Sequence, residues 1–217
     1  MKKIILLLLV LLSGSLVACS SSDDWDSSKN ITLYTRDTSS GTRAGFMEGI
    51  GFSEAAEDNS LLAEGYVIKD NTGILTSMKT DEYGIGYVSL ASLNDEIKGL
   101  KFDGVDPTVA NVVNNTYGLK RPFNYVIRSL DDFANDTEKE ITLAFIAFLH
   151  TSDGADIITN EGAIPLTTTS TWDEIKDDYE VCSLDNSGVT IKFGGSDSIE
   201  KIALALTEAF APKCGNF

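Results

Sequence analysis

The chain has 217 residues, of which 33 are Asp or Glu and 17 are Lys or Arg, so its net charge is -16 at pH 7. This excess of negative charge argues against a nucleic-acid-binding protein, because such proteins present basic patches to phosphate backbones. The length is enough for one or two domains, each with a hydrophobic core. Apart from Cys19, two cysteines and a single histidine make a metal centre improbable.

The N-terminus predicts export from the cytoplasm. Lys2 and Lys3 precede a short apolar run, residues 4–12, and small residues follow it. A basic start, a short apolar stretch and small residues are typical of a secretory signal, and the run is too short for a membrane-spanning helix. Removal of this leader with its two lysines takes the charge of the mature chain from -16 to -18.

Cys19 stands where such a leader would be cut. Leu16 and Ala18 ahead of it resemble the lipobox of bacterial lipoproteins. That resemblance implies that residues 1–19 are a lipoprotein signal peptide and that Cys19 carries the lipid anchoring the protein to the extracytoplasmic face of the cell membrane. The alternative is an ordinary signal peptide with an incidental cysteine. Residues 20–30 are polar, acidic and without periodicity, so we expect a disordered tether.

Further along the chain, predicted strands and helices alternate, which indicates an α/β fold. Trp172 lies in an acidic segment that we expect to be a linker or a surface helix. The predicted elements are, in chain order, strand 31–35, helix 42–49, helix 72–78 capped by Asn71 or Thr72, strand 84–89, strand 100–102, helix 107–113, strand 123–127, helix 138–149, helix 152–160, strand 189–193 and helix 199–210.

The turn between the first strand and the first helix is a candidate anion site. A helix that begins there points its first free N–H groups, and the positive end of its dipole, at one spot. Ser39, Ser40 and Thr42 add hydroxyl donors, and Gly41 lets the backbone approach a ligand closely. Arg36 offers a planar guanidinium suited to a tetrahedral oxyanion. The alternative is an ordinary helix cap by Ser40 or Thr42.

A second turn of the same kind precedes the last predicted helix. It contains Ser196, Asp197 and Ser198 after two glycines, and it follows the predicted strand 189–193. Two such turns could face one ligand from opposite sides of a cleft. A plain cap by Ser196 or Ser198 is again the alternative.

With both turns, the chain resembles the substrate-binding protein of phosphate ABC transporters, a lipoprotein in many bacteria. The resemblance implies a periplasmic-binding-protein fold of type II with two lobes, here residues 31–98 and 99–217. Arg36, Ser40, Gly41 and Thr42 match phosphate-contacting positions of that family, and residues 195–198 resemble its Gly-Ser-Thr-Ser phosphate turn. The resemblance is carried by residues 34–37, 40–43, 85–90, 103–105 with 107–108, 121–123, 145–165 and 195–198.

The order and the length of the chain depart from the family, and so does one residue of the second turn. The second turn is N-terminal in the family and C-terminal here, so the order resembles a circular permutation, and the chain ends at Phe217, before most of the family's second lobe. We therefore expect an incomplete second lobe. Asp197 replaces a threonine of the family, and it either accepts the proton of HPO₄²⁻ or weakens the site; the sequence leaves both open.

We therefore expect a receptor that binds inorganic phosphate, through Arg36, Ser39, Ser40, Gly41, Thr42, Ser196, Asp197 and Ser198, for an ABC transporter permease. We expect a monomer with no cofactor, no metal, no nucleic-acid partner and no catalytic residue. The alternatives are a truncated, weakly binding fragment of such a receptor and a receptor for another oxyanion such as sulfate.

A hydrolase with Ser39 or Ser40 as nucleophile lacks a base, since His150, the single histidine, ends a predicted helix and is expected to be structural. Export permits a disulfide between Cys182 and Cys214, but their spacing does not require one.

Overall fold

A small parallel sheet positions the turn that leads into the first helix. The structure, a computed structural model, describes residues 25–217. Strand β1 (Thr32–Thr35) lies in the centre, with β2 (Val67–Ile68) on one side and β3 (Gly84–Ile85) on the other. Because the three strands are parallel, their carboxyl ends share one edge of the sheet, which is where open α/β folds bind ligands. The register pairs Tyr34 with Val67, Thr35 with Ile68, Thr32 with Gly84 and Leu33 with Ile85.

Two helices begin at that edge. Helix α1 (Gly41–Gly49) follows β1 and is capped by Ser40, whose hydroxyl accepts from the N–H of Arg43. Helix α2 (Asn71–Met78) follows β2 and is capped by Asp70. Both predicted helices are confirmed, but the predicted cap of the second is wrong, because Asp70 rather than Asn71 or Thr72 accepts from the first turn.

The remaining helices include the longest ones of the described chain. The predictions for 138–149, 152–160 and 199–210 are confirmed to within two residues. The helix predicted from residue 107 begins at Val109, because Thr108 caps it. Bounds are α3 (Val109–Val113), α4 (Asp136–Leu149), α5 (Ser152–Asn160), α6 (Trp172–Ile175) and α7 (Glu200–Phe210), with 3₁₀ turns at Ser53–Ala56, Asn59–Leu61, Leu90–Ser92, Lys176–Asp178, Glu180–Ser183 and Ala211–Lys213.

An aromatic core forms where α4, α6 and α7 meet. The rings of Phe148 and Phe210 lie 5.1 Å apart, and the Trp172 ring stands edge-on to them at 5.9 and 5.2 Å. Trp172 is only 2% exposed, so the expectation of a surface segment is wrong for this residue. Its acidic neighbours face solvent, whereas its ring belongs to the core because aromatic edges and faces pack favourably.

A disulfide joins Cys182 to Cys214 at the edge of this core. Asn186 is buried beside it and donates to the carbonyls of Val181 and Cys214 at 2.8 and 3.0 Å. The pairing that the sequence left open is therefore present, and it ties the C-terminal turn to the segment after α6.

Three predicted strands are not formed as strands within residues 25–217. Residues 123–127 and 189–193 belong to no ladder, and Val126 is 92% exposed. Residues 100–102 contribute one isolated bridge, between Phe102 and Val105. The strand predicted over 84–89 is paired only at Gly84 and Ile85. Alternation of side chains predicts an extended backbone, but a strand also needs a neighbour that completes its hydrogen bonds.

The predicted leader and the lipidation candidate Cys19 lie outside the described residues. Residues 25–30 are exposed and contain a turn in which Ser28 donates to Asp26. Across residues 25–217 no single helix has both the length and the apolarity to cross a membrane, and α4 with α5 meets that test only as one pair bent by 70°.

Candidate anion-binding site

The hydroxyl of Tyr87 holds the end of β1 in place. The Tyr87 hydroxyl lies 2.6 Å from the Thr35 hydroxyl and accepts from the N–H of Arg36 at 3.2 Å. The Tyr87 ring stacks on Phe46 of α1, with centroids 4.1 Å apart and planes 8° from parallel. The strand end and the first helix are therefore locked together beneath the turn.

Arg43 fixes the same turn from inside the helix. This side chain is fully buried, and its guanidinium donates to the carbonyl of Arg36 at 2.9 Å, to Asn59 at 2.6 Å and twice to the carbonyl of Ala55. In the sequence, Arg43 stands out only as the last residue of the motif 40–43. Arg43 thus positions the Arg36 carbonyl, while Tyr87 holds the Arg36 N–H.

The two predicted turns meet in space. Thr42 and Ser198 are joined by a hydrogen bond between their hydroxyls, and Nη1 of Arg36 lies 3.5 Å from Oγ of Ser198. Nη2 of Arg36 donates to both carboxylate oxygens of Asp197, at 2.5 and 2.6 Å. Ser196 lies in the same turn, where its hydroxyl accepts from the N–H of Ser198 at 3.3 Å. Residues more than 150 positions apart in sequence thus share one site.

A third element, absent from the predicted set, reaches the site from α2. The N–H of Asn71, the first residue of that helix, donates to Oδ2 of Asp197 at 3.2 Å. The Asn71 side chain is buried, and its Nδ2 donates to Ser92 at 2.8 Å. A signal for this residue was available, since α2 begins at the carboxyl end of β2, beside the end of β1.

Ser39 is the predicted site residue that the structure directs elsewhere. It is exposed, and both its N–H and its hydroxyl donate to Asp37, two positions earlier. Ser40, by contrast, is buried as the cap of α1. The capping interpretation of Ser40 is therefore confirmed, and the binding role of its turn stays a prediction.

A second arginine packs against the first turn of α1. A Cβ on Gly41 would lie 3.1 Å from Nη2 of Arg121, and Gly45 likewise leaves room for this side chain. Burial lowers the pKa of Arg121 below its ordinary value. Within the described residues no carboxylate pairs with Arg121, although its guanidinium lies over the ring of Phe123 at 5.0 Å. A cation beside a helix N-terminus is unfavourable on its own, so this arrangement favours an anion nearby.

The Asp197 carboxylate is the one negative group among these donors in the described chain. Burial raises the pKa of Asp197, but hydrogen bonds from Arg36 and the Asn71 N–H outweigh that effect, and the pKa lies below its ordinary value. The group is therefore ionised at neutral pH. The negative net charge of the chain does not oppose such a site. Exposed charges more than about 8 Å away are largely screened by salt, so the nearby donors determine the interaction with a ligand.

The site opens on a cavity of about 2780 Å³. Gly41, Thr42, Ser196, Asp197 and Arg121 contribute to its wall. Small-ligand pockets occupy roughly 300–1,000 Å³, so the cavity as a whole is much larger than one oxyanion requires. The donors on this part of its wall are what define the candidate site.

His150 lies apart from the hydroxyls of the two turns. His150, at the end of α4, has its Nε2 at 2.9 Å from the Tyr125 hydroxyl. Within residues 25–217 no hydrogen bond joins it to Ser39 or Ser40. A cradle of N–H groups, hydroxyls and a guanidinium is suited to holding an oxyanion.

Solved structures of the same fold are binding proteins of transporters. A phosphate-binding protein of a phosphate ABC transporter from Streptococcus pneumoniae superposes with a TM-score of 0.60 at 26% identity, over 87% of this chain and 68% of that one. A structure from Clostridium perfringens, named as a phosphate ABC transporter substrate-binding protein with bound phosphate, gives 0.53 at 29%, over 63% and 52%. The chain therefore has the α/β fold of periplasmic binding proteins.

Sequence relatives narrow this class to one family. Phosphate-binding protein PstS 2 of Streptococcus pneumoniae is 32% identical, over 96% of this chain and 69% of that protein. Its namesake in Streptococcus agalactiae is 31% identical, over 91% and 63%. The chain belongs to the PstS family of phosphate-binding proteins, and it spans 63% of the length of the Streptococcus agalactiae relative. No protein-family model matches it.

Proposed function

We propose that the protein is an extracytoplasmic receptor that binds inorganic phosphate and delivers it to the permease of an ABC transporter. Membership of the PstS family supports the ligand class. The observation that carries the proposal is the buried guanidinium of Arg36, only 2% exposed, which lies where the turn of α1 and the turn at Ser196–Ser198 meet. A buried cation among hydroxyls at a helix N-terminus is an arrangement suited to a phosphate ion.

Each part of the proposed site has its own role. Arg36 supplies the charge, and the N–H groups of Gly41 and Thr42 supply the helix-end donors. The hydroxyls of Thr42 and Ser198, now bonded to each other, become donors to the ligand when phosphate separates them. Ser196 adds a hydroxyl from the same turn, and Ser40 contributes as the cap. Ser39 has the least support, because Asp37 holds it away.

The ligand set draws on both proposed lobes, residues 31–98 and 99–217. Hinged closure of two lobes is a common way for binding proteins to enclose an ion, and we propose it here. We propose a monomer, which sedimentation velocity of the purified protein tests.

Calorimetric titration with phosphate and then sulfate tests the binding proposal. We expect phosphate to bind, and Arg36→Ala to weaken binding by about 100-fold or more, because a charge-assisted pair of hydrogen bonds is lost. Thr42→Val, which removes one hydroxyl and keeps the shape, should weaken it by about tenfold. Arg128→Ala, an exposed arginine paired with Glu138, is the matched control. Circular dichroism establishes that each variant is folded, and a folded wild type that gives no heat with phosphate refutes the proposal.

We also propose that lipidated Cys19 anchors the receptor to the membrane. Buried acyl chains contribute about 0.8 kcal/mol per CH₂, so a multiply acylated cysteine holds a domain at a membrane surface. Mass spectrometry of the mature N-terminal peptide should show acylated Cys19. Cys19→Ala should move the protein from the detergent phase to the aqueous phase on partitioning. An unmodified Cys19 in the mature protein contradicts the anchor without affecting the binding proposal.

A further inference from the structure

Asp197 occupies the donors that an anionic ligand would use. Both of its carboxylate oxygens accept from Nη2 of Arg36, at 2.5 and 2.6 Å, and Oδ2 also accepts from the first N–H of α2 at Asn71, 3.2 Å away. A guanidinium and a helix N-terminus are the two commonest ways in which proteins bind oxyanions. The carboxylate therefore stands where the oxygens of a bound anion would stand.

The surroundings of Asp197 leave its carboxylate room to move away from Arg36. Residues 189–195 belong to no helix or ladder within the described chain, and a Cβ on Gly194 or Gly195 would meet nothing within 4 Å. The Asp197 side chain is 36% exposed, whereas its partner Arg36 is 2% exposed. Withdrawal of the carboxylate thus needs little rearrangement around it, while the buried arginine stays in place.

Arg36 also keeps an unused donor. Its Nε is buried and has no hydrogen-bond partner among the described residues. A buried donor without a partner is costly. Asp197 therefore satisfies the guanidinium incompletely, and a tetrahedral ion with four oxygens has more acceptors to offer than a carboxylate with two.

We propose that Asp197 is a tethered anion that fills the site when no ligand is bound, and that an incoming oxyanion must displace it. This inference rests on the proposed function, whose affinity and ligand class it specifies. A tethered group competes at a high effective concentration. Small monocarboxylates, which offer the donors no more than Asp197 does, are therefore excluded, and multiply charged tetrahedral oxyanions are selected.

Removal of the carboxylate tests the inference. We expect Asp197→Asn and Asp197→Ala to bind phosphate about 10- to 100-fold more tightly than the wild type, because a competing charge-assisted interaction is gone. Asp197→Ala should in addition bind acetate, which refills the vacated position, whereas the wild type should not. Asp177→Asn removes the same charge from an exposed position and should change neither affinity.

The possible results separate this inference from the proposed function. Weaker or equal phosphate binding in both Asp197 variants, with a wild type that binds, overturns the tethered-anion role and makes Asp197 a ligand or a bystander. A folded wild type and folded variants that all fail to bind phosphate overturn both proposals. Thermal melting with and without phosphate checks folding, and phosphate should raise the melting temperature of Asp197→Ala more than that of the wild type.

Discussion

Arg43 gives the sharpest stability prediction, because a single buried side chain joins three parts of the chain. Its guanidinium makes four hydrogen bonds, two to the carbonyl of Ala55, one to the carbonyl of Arg36 and one to Asn59. Lysine keeps the charge but has one nitrogen, and it cannot reach acceptors on both sides of a planar fork. Arg43→Lys should therefore leave at least two of these three acceptors without their partner.

The magnitude follows from the number of bonds lost. A hydrogen bond to a charged group contributes about 1.5–3 kcal/mol, and partial compensation by the lysine reduces the sum. We expect Arg43→Lys to lower the free energy of unfolding by about 2–4 kcal/mol, a large share of the roughly 5–15 kcal/mol available to a folded protein. Because Arg43 positions the carbonyl of Arg36, phosphate binding should weaken as well.

Urea unfolding followed by circular dichroism measures this change. The midpoint should fall while the denaturant slope stays the same, as expected when stability alone has changed. Arg128→Lys is the control, since that arginine is exposed and its carboxylate partner lies 3.7 Å away, and it should stay within about 0.5 kcal/mol of the wild type. A loss under about 0.5 kcal/mol for Arg43→Lys would refute the reasoning from buried hydrogen bonds.

Two further predictions concern the disulfide and acid pH. Replacement of Cys182 and Cys214 by serine opens a loop with a sequence separation of 32 and should lower stability by about 2–4 kcal/mol in the same urea assay, whereas unchanged stability would make the bridge dispensable. Burial raises the pKa of Asp197, but hydrogen bonds from Arg36 and Asn71 outweigh it, so the pKa in the folded protein lies below the ordinary 3.8. The contribution of Asp197 to the free energy of unfolding is therefore present above pH 3.8, and it is lost as the pH falls through the pKa of the folded state. The stability gap between the wild type and Asp197→Asn, without phosphate, should stay constant from about pH 7 to 5 and close only below pH 3.8; a gap that closes near pH 6 would contradict the assignment.

The sequence predicted those elements whose signals are local. The strand 32–35, the Ser-Gly turn and the helix after it follow one another within a few residues, and all are present. The long helices α4 and α7 show apolar residues at helical spacing, which decides their type without reference to the rest of the chain. Such signals also indicated an α/β fold.

Features that depend on distant parts of the chain were missed. Residues 123–127 and 189–193 alternate as strands do, but pairing is a property of two segments, and within residues 25–217 neither has a ladder partner. Trp172 sits among acidic residues and reads as a surface position, yet Phe148 and Phe210 bury it. Local patterns cannot identify such partners.

The candidate site shows the same division. Each turn was predicted from its own residues, but the ion pair between Arg36 and Asp197 spans 161 positions, and no spacing rule indicates it. Asn71 was considered only as a helix cap, because its part in the site depends on the neighbouring strand order. The replacement of threonine by Asp197 was visible in the sequence, and its partner was not.

The structure also shows that a strongly acidic chain is compatible with the proposed anion site. Arg36 and Arg43 are buried, so their charges are met by carbonyl oxygens, an amide and one carboxylate rather than by the acidic surface. Buried donors act on a ligand at close range, whereas exposed charges are screened over about 8 Å. The surface charge therefore governs solubility and encounter, while the affinity depends on what occupies Arg36. Asp197 places one of the chain's negative charges in the site itself. A ligand must therefore interact with the buried Arg36 more favourably than the Asp197 carboxylate does.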